Sequence, residues 1–208
     1  MKAQTKESQS ALSHEQILEV LKEGNKRFVN NLSLNRYLKQ QVQETSTGQY
    51  PFAAVLSCID SRVPMETVFD QGIGDLFSIR IAGNFVNDDI LGSMEFACKL
   101  AGSKVILVLG HTACGAVKGA CDNAELGLLT GLLDKIRPAV NAVKTPADES
   151  LRNSKNSEFV DEVAAKNVSL TLNNIRSRSK VLAEMEKNKE IMLVGAMYDV
   201  KTGQVTFY

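Results

Sequence analysis

Two short stretches of this chain set unlike reactive groups side by side. In the first, Cys58, Asp60 and Arg62 stand at alternate positions: a thiol, a carboxylate and a guanidinium. In the second, His111 and Cys114 are three residues apart. Thiolate and imidazole are preferred zinc donors, and a catalytic zinc ion takes three protein ligands and keeps one position open. Cys58, His111 and Cys114 supply that count, for one zinc ion per chain. The H-x-x-C spacing alone says little. Paired with C-x-D-x-R, it points to a metal site with a charged pair at its edge. His14 and His111 are the only two histidines, so a three-histidine site is excluded and zinc must rely on cysteine. His14 falls in the first turn of a predicted helix and reads as a solvated surface residue.

Each cluster follows an apolar run. Phe52-Ala53-Ala54-Val55-Leu56-Ser57 precedes Cys58, and Lys104-Val105-Ile106-Leu107-Val108-Leu109-Gly110 precedes His111. Apolar runs without alternation suit strands covered on both faces. Open α/β sheets form their sites at the carboxyl ends of such strands. Further strands are predicted over 75–81 and 191–197, with a short antiparallel return over 204–208 after the Lys201-Thr202-Gly203 turn.

Helices fill the intervals. Ser13 with Gln16 reads as a capping box for a helix running to about Asn30, with Ile17, Leu18, Leu21 and Phe28 on its apolar face. Met65 to Asp70 forms a short helix after Pro64. Asp88 or Asp89 caps a helix that carries Ile90, Leu91, Met94, Ala97 and Cys98 and stops at Gly102. A small-residue helix follows Cys114. Leu126 to Ile136 forms another helix, interrupted at Pro138, and a single long helix runs from 158 to 187. Residues 1–12 read as frayed, 31–50 as a short helix or extended arm, and 145–157 as a linker. The expected fold is α/β: a mostly parallel four-stranded central sheet with a short additional C-terminal strand, flanked by helices. The expected division is an N-terminal helical arm over 1–50, whose apolar face has no obvious partner in its own domain, and an α/β zinc-binding domain over 51–208.

Composition narrows the function classes. The 208 residues carry 24 basic and 24 acidic side chains, a balance that argues against nucleic-acid or anionic-membrane binding driven by charge. No apolar stretch reaches the length of a membrane span, and the polar start lacks a signal-peptide core. A cytoplasmic protein is expected. Of four cysteines, Cys98 and Cys121 read as packing residues. Cys58 and Cys114 lie beside charged or polar groups, where packing does not call for a thiol.

Cys58-Ile59-Asp60-Ser61-Arg62, Arg80-Ile81-Ala82-Gly83-Asn84 and Gly110-His111-Thr112-Ala113-Cys114-Gly115, in this order, resemble the β-class carbonic anhydrases. The likeness extends to Tyr198-Asp199-Val200. It implies zinc on Cys58, His111 and Cys114, and reversible hydration of carbon dioxide to bicarbonate and a proton by a zinc-activated hydroxide. By the same likeness Asp60 orients the attacking water, and Arg62 keeps Asp60 ionised and off the metal. Gln49, nine residues before Cys58, matches a substrate-binding glutamine of the plant-like, non-regulated branch. The regulated branch carries a tryptophan where Val55 stands, and this chain has no tryptophan. Phe77, Ala82 and Phe96 fall where the family lines its substrate pocket, partly from a neighbouring subunit, and Gly115 offers a backbone N–H to an anion. The family dimerises through N-terminal arms, so a homodimer or a dimer of dimers is expected. Two alternatives remain: hydrolysis of carbonyl sulfide or carbon disulfide on the same zinc site, and a non-catalytic zinc-binding protein.

Overall fold

A computed structural model describes residues 3–208. Its centre is a five-stranded sheet in the order β2-β1-β3-β4-β5. The strands are β1 (Ala53–Ser57), β2 (Leu76–Arg80), β3 (Val105–His111), β4 (Met192–Tyr198) and β5 (Val205–Phe207). The first four pair in parallel and β5 returns antiparallel on β4. Every residue of β1 and β3 is buried, as their apolar runs require. Side chains alternate across the sheet. Ala53, Val55, Val105, Leu107 and Leu109 pack into one core with Ile17, Leu21 and Phe69. Ala54, Leu56, Ile106 and Val108 pack into a second core on the other face, with Leu91, Val168 and Ile175.

The N-terminal segment departs from expectation. Residues 1–12 are not frayed throughout: Lys6–Ala11 form α1, capped by Thr5 and Ser8 in a reciprocal box. Met1 and Lys2 lie outside the described residues. Helix α2 (His14–Val29) starts at the predicted Ser13–Gln16 box. Its apolar face has a partner in its own chain, because Ile17 and Leu21 are fully buried in the core of the sheet. Gly24 lies against the Phe69 carbonyl, where any Cβ would clash with backbone. Helix α3 (Leu38–Glu44) is the short helix expected within 31–50.

The remaining helices are α4 (Met65–Val68), α5 (Asp88–Glu95), α6 (Gly115–Cys121), α7 (Gly127–Leu133), α8 (Arg137–Ala142), α9 (Ser157–Arg178) and α10 (Lys180–Lys187). Asn87, not Asp88 or Asp89, caps α5 by accepting from the Ile90 N–H. A π-helical turn over Phe96–Leu100 extends α5 toward Gly102. Pro138 does not break a helix but sits in the first turn of α8, where its missing N–H costs nothing. The long helix predicted over 158–187 is two helices. Ser179 leaves helical geometry, and its hydroxyl accepts from the Leu182 N–H to start α10. The linker over 145–157 holds a 3-10 turn at Glu149–Leu151 and is tied back by bonds from Ser154 to Asp122. Among the described residues, no helix is long and apolar enough to cross a membrane.

Candidate metal centre

Register brings the two reactive clusters together. Ser57 of β1 pairs with Leu109 of β3 on one side and with Arg80 of β2 on the other. Cys58 therefore leaves the sheet beside the end of β3, where His111 closes the strand. After His111 the chain turns sharply through Ala113, whose φ of +54° is left-handed, and Cys114 follows as the N-cap of α6. The sulfurs of Cys58 and Cys114 lie 3.9 Å apart, too far for a disulfide at about 2.05 Å. Among the described residues, the Cys58, His111 and Cys114 donor atoms form the one group that could hold a metal, all within 4.8 Å of one another and all from buried residues.

The state of His111 fits a ligand. The ring is fully buried, Nδ1 lies 2.9 Å from the Thr112 carbonyl oxygen, and Nε2 is buried without a partner. A carbonyl only accepts, so Nδ1 carries the proton and Nε2 presents a lone pair. A buried acceptor left empty is costly unless something occupies it. The two thiols act on each other. The hydrogen bond from the Cys114 thiol, with another from the Gly83 N–H, pushes the Cys58 thiol down. Cys114 is pushed up by its bond to Cys58 and by burial. Two sulfurs and one imidazole nitrogen form a donor set suited to zinc.

Asp60 and Arg62 border this cluster. Arg62 grips Asp60 with two parallel bonds, Nε to Oδ1 at 2.9 Å and Nη2 to Oδ2 at 2.7 Å. Its own backbone N–H adds a third, at 2.9 Å. The guanidinium holds the Asp60 carboxyl well below the usual carboxylate range. Asp60 Oδ2 lies 3.9 Å from His111 Nε2, so the carboxylate faces the mouth of the cluster.

A family model described as carbonic anhydrase matches residues 53–205. The chain belongs to the β-class carbonic anhydrase family. It is 34% identical over 192 residues to carbonic anhydrase 2 of Mycobacterium tuberculosis, covering 88% of this chain and 87% of that one. It is 33% identical over 192 residues to the carbonic anhydrase of Mycolicibacterium smegmatis, covering 89% and 88%. The β-carbonic anhydrase CafA of Aspergillus fumigatus superposes with a TM-score of 0.74 at 26% identity, over 92% of this chain and 90% of that one.

Within one chain, not every expected site residue of this carbonic anhydrase meets the cluster. Gln49 is exposed at the amino end of β1, beside Lys6, Gln9 and Tyr50, at the opposite end of the strand from Cys58. Phe77 and Phe96 meet edge-to-face with ring centroids 6.1 Å apart, in a groove along β2 and α5. Phe96 is 52% exposed. Ala82 is half-buried beside Gly83, whose N–H donates to Cys58 Sγ at 3.4 Å. Gly115 is exposed as the first residue of α6.

Two residues that sequence reasoning left without a role hold the cluster's backbone. Arg80 ends β2, and its guanidinium donates to the carbonyls of Cys58 (3.0 Å) and Asp60 (2.6 Å). Asp161 of α9 accepts from the Ala113 N–H at 2.8 Å. Arg80 stands inside a motif already singled out, and its place at a strand end was a usable signal. Asp161 carried none, because its partner is a main-chain group 48 residues away.

Proposed function

We propose that this chain is a carbonate dehydratase that interconverts carbon dioxide and bicarbonate, with one zinc ion held by Cys58 Sγ, His111 Nε2 and Cys114 Sγ. The observation that carries the proposal is the buried, partnerless His111 Nε2 beside two sulfurs 3.9 Å apart, with the Arg62-bound Asp60 at the opening. The ion, when bound, would supply the Lewis acidity that makes water a competent nucleophile near neutral pH. The chain's own residues do the rest. Asp60 Oδ2 accepts a hydrogen bond from a water in the opening and so turns that water's lone pair toward substrate. Arg62 keeps the Asp60 carboxylate ionised and held back from the three ligands; its planar fork fixes the carboxylate in a way a lysine cannot. Arg80 holds the Cys58 and Asp60 carbonyls, so ligand and acceptor keep their spacing.

The pocket is completed by a second copy in this reading. The outer edge of β2, with Phe77 and the exposed Phe96, supports pairing of two chains there. Exposed Leu32, Tyr37, Leu38 and Val42 on the 31–44 segment support an arm that reaches a neighbour. Gln49, Phe77, Ala82, Phe96 and Gly115 would then line the substrate path, with Gln49 entering from the partner. A homodimer, or a dimer of dimers, in the cytoplasm fits these surfaces and the free thiols. The absence of tryptophan supports the plant-like, non-regulated branch.

Carbonyl sulfide and carbon disulfide are the competing substrates for the same linear pocket. Stopped-flow hydration of carbon dioxide, run beside sulfide release from both, decides the matter. The expected result is fast, saturable hydration with sulfide release near background. Sulfide release outpacing hydration would sink the proposal.

A further inference from the structure

The ligand loop holds an arrangement that the activity alone does not call for. His111 Nδ1 donates to the Thr112 carbonyl at 2.9 Å. The amide on the other side of that same peptide bond, the Ala113 N–H, donates to Asp161 Oδ1 at 2.8 Å. One peptide unit therefore lies between an imidazole and a carboxylate. We propose that Asp161 is a positioning residue that fixes the tautomer and donor strength of His111 through the Thr112–Ala113 peptide.

The physical case has three parts. Ligating histidines ordinarily give their second N–H to a carboxylate or a carbonyl, which orients the ring and raises its basicity. Here the carbonyl is itself tied to a carboxylate. Resonance joins the C=O and N–H of a peptide, so a charge-assisted bond at the N–H puts more negative charge on the oxygen. Hydrogen bonds in series strengthen one another by roughly 10–30% each, and a bond to an ionised acceptor is about twice as strong as a neutral one. Finally, Ala113 adopts a φ of +54°, which L-residues with a Cβ avoid, and the Asp161 bond opposes its return to ordinary geometry. Asp161 can do this because α9 packs along β3, with Val160, Val163 and Ala164 buried around it.

The inference rests on the zinc reading above, and the test separates the two. Zinc affinity is measured by chelator competition on the full chain, with the His111 Nδ1 proton followed by NMR in the zinc-loaded protein. Asp161→Asn keeps the shape and an acceptor oxygen but removes the charge. It should weaken zinc binding by roughly 3- to 10-fold, and Asp161→Ala by roughly 10- to 100-fold, the range found for outer partners of metal-binding histidines. The Nδ1 proton should move upfield in both. Ala113→Gly removes the cost of the positive φ and so isolates the electronic role. The loss caused by Asp161→Asn should persist in that background. Disappearance of the loss there would mean that Asp161 only holds the turn, which overturns the proposal. Unchanged affinity and an unmoved resonance in both Asp161 variants overturn it too. If the unmodified protein fails to take up one zinc, the zinc reading itself falls and this inference with it.

Discussion

Asp60 and Asp70 are both gripped by arginine, and they differ in what is left over. Asp70 is buried, at 3% side-chain exposure, and pairs with Arg36 and, at 2.5 Å, with Arg27. The Leu34 N–H approaches both of its oxygens. Burial alone would raise its pKa, but the two guanidiniums and the Leu34 amide outweigh that and hold it below its ordinary value. Asp70 is fully used, and its partners pin the 27–36 segment to the end of α4. Asp60 faces a single guanidinium, and its Oδ2 still looks into the cluster. The lesson is that an acid–arginine pair serves chemistry when a lone pair remains free at a reactive centre, and serves structure when none does.

The sharpest way to break the comparison is to neutralise each acid. Asp60→Asn should lower kcat/KM by about 10²- to 10³-fold, the usual scale for a group acting on the reacting proton. Folding stability should change by less than about 1 kcal/mol, since the Arg62 side is open to solvent. Asp70→Asn should do the reverse. Leaving two guanidiniums without their charge partner should cost about 3–5 kcal/mol in urea denaturation. Turnover per folded, zinc-loaded molecule should stay within about twofold, as expected for a change distant from the reacting groups. Equal activity losses in the two variants would erase the distinction.

Arg62→Lys gives a smaller effect. Lysine keeps the charge but not the fork, so Asp60 should wander, and kcat/KM should fall by about tenfold, equal to roughly 1.4 kcal/mol. Zinc content should not change. The smallest effect concerns acid stability. The folded pKa of Asp70 lies below its unfolded value. The stability it contributes is therefore present above the unfolded value near 4 and is lost as pH falls through the folded one. Urea midpoints taken from pH 6 down to pH 3 should fall less steeply in Asp70→Asn than in the parent. An identical slope would show that Asp70 adds nothing to acid sensitivity.

Some of this could be read from residue types alone. Cys58 and Cys114 were legible because packing does not call for a thiol beside charged groups, and His111 because it stands three residues before Cys114 at the end of an apolar run. The strands were legible because β1 and β3 are apolar throughout. Arg80 and Asp161 were not assigned, because they bind main-chain groups that every residue possesses. The break at Ser179 was missed because one serine hydroxyl, accepting from Leu182, outweighs a helical pattern that runs through it. Asn87 took the cap from Asp88 and Asp89 because a neighbour one position earlier serves equally well. The apolar face of α2 seemed unpartnered because its match, α4 and β3, lies far away in sequence. Gln49 lies beyond reach of its own cluster, since a strand of five residues separates them.

The central claim is that the Cys58–His111–Cys114 cluster takes up zinc and that this zinc supports hydration of carbon dioxide. Stopped-flow hydration should be measured on the protein as isolated, after chelation, and after zinc is returned, with metal content determined in each sample. Activity should track zinc up to one ion per chain, vanish on chelation and recover on zinc return, and Cys58→Ser should neither bind the ion tightly nor recover. Hydration that survives complete removal of zinc, or a Cys58→Ser protein that retains full activity, would contradict it.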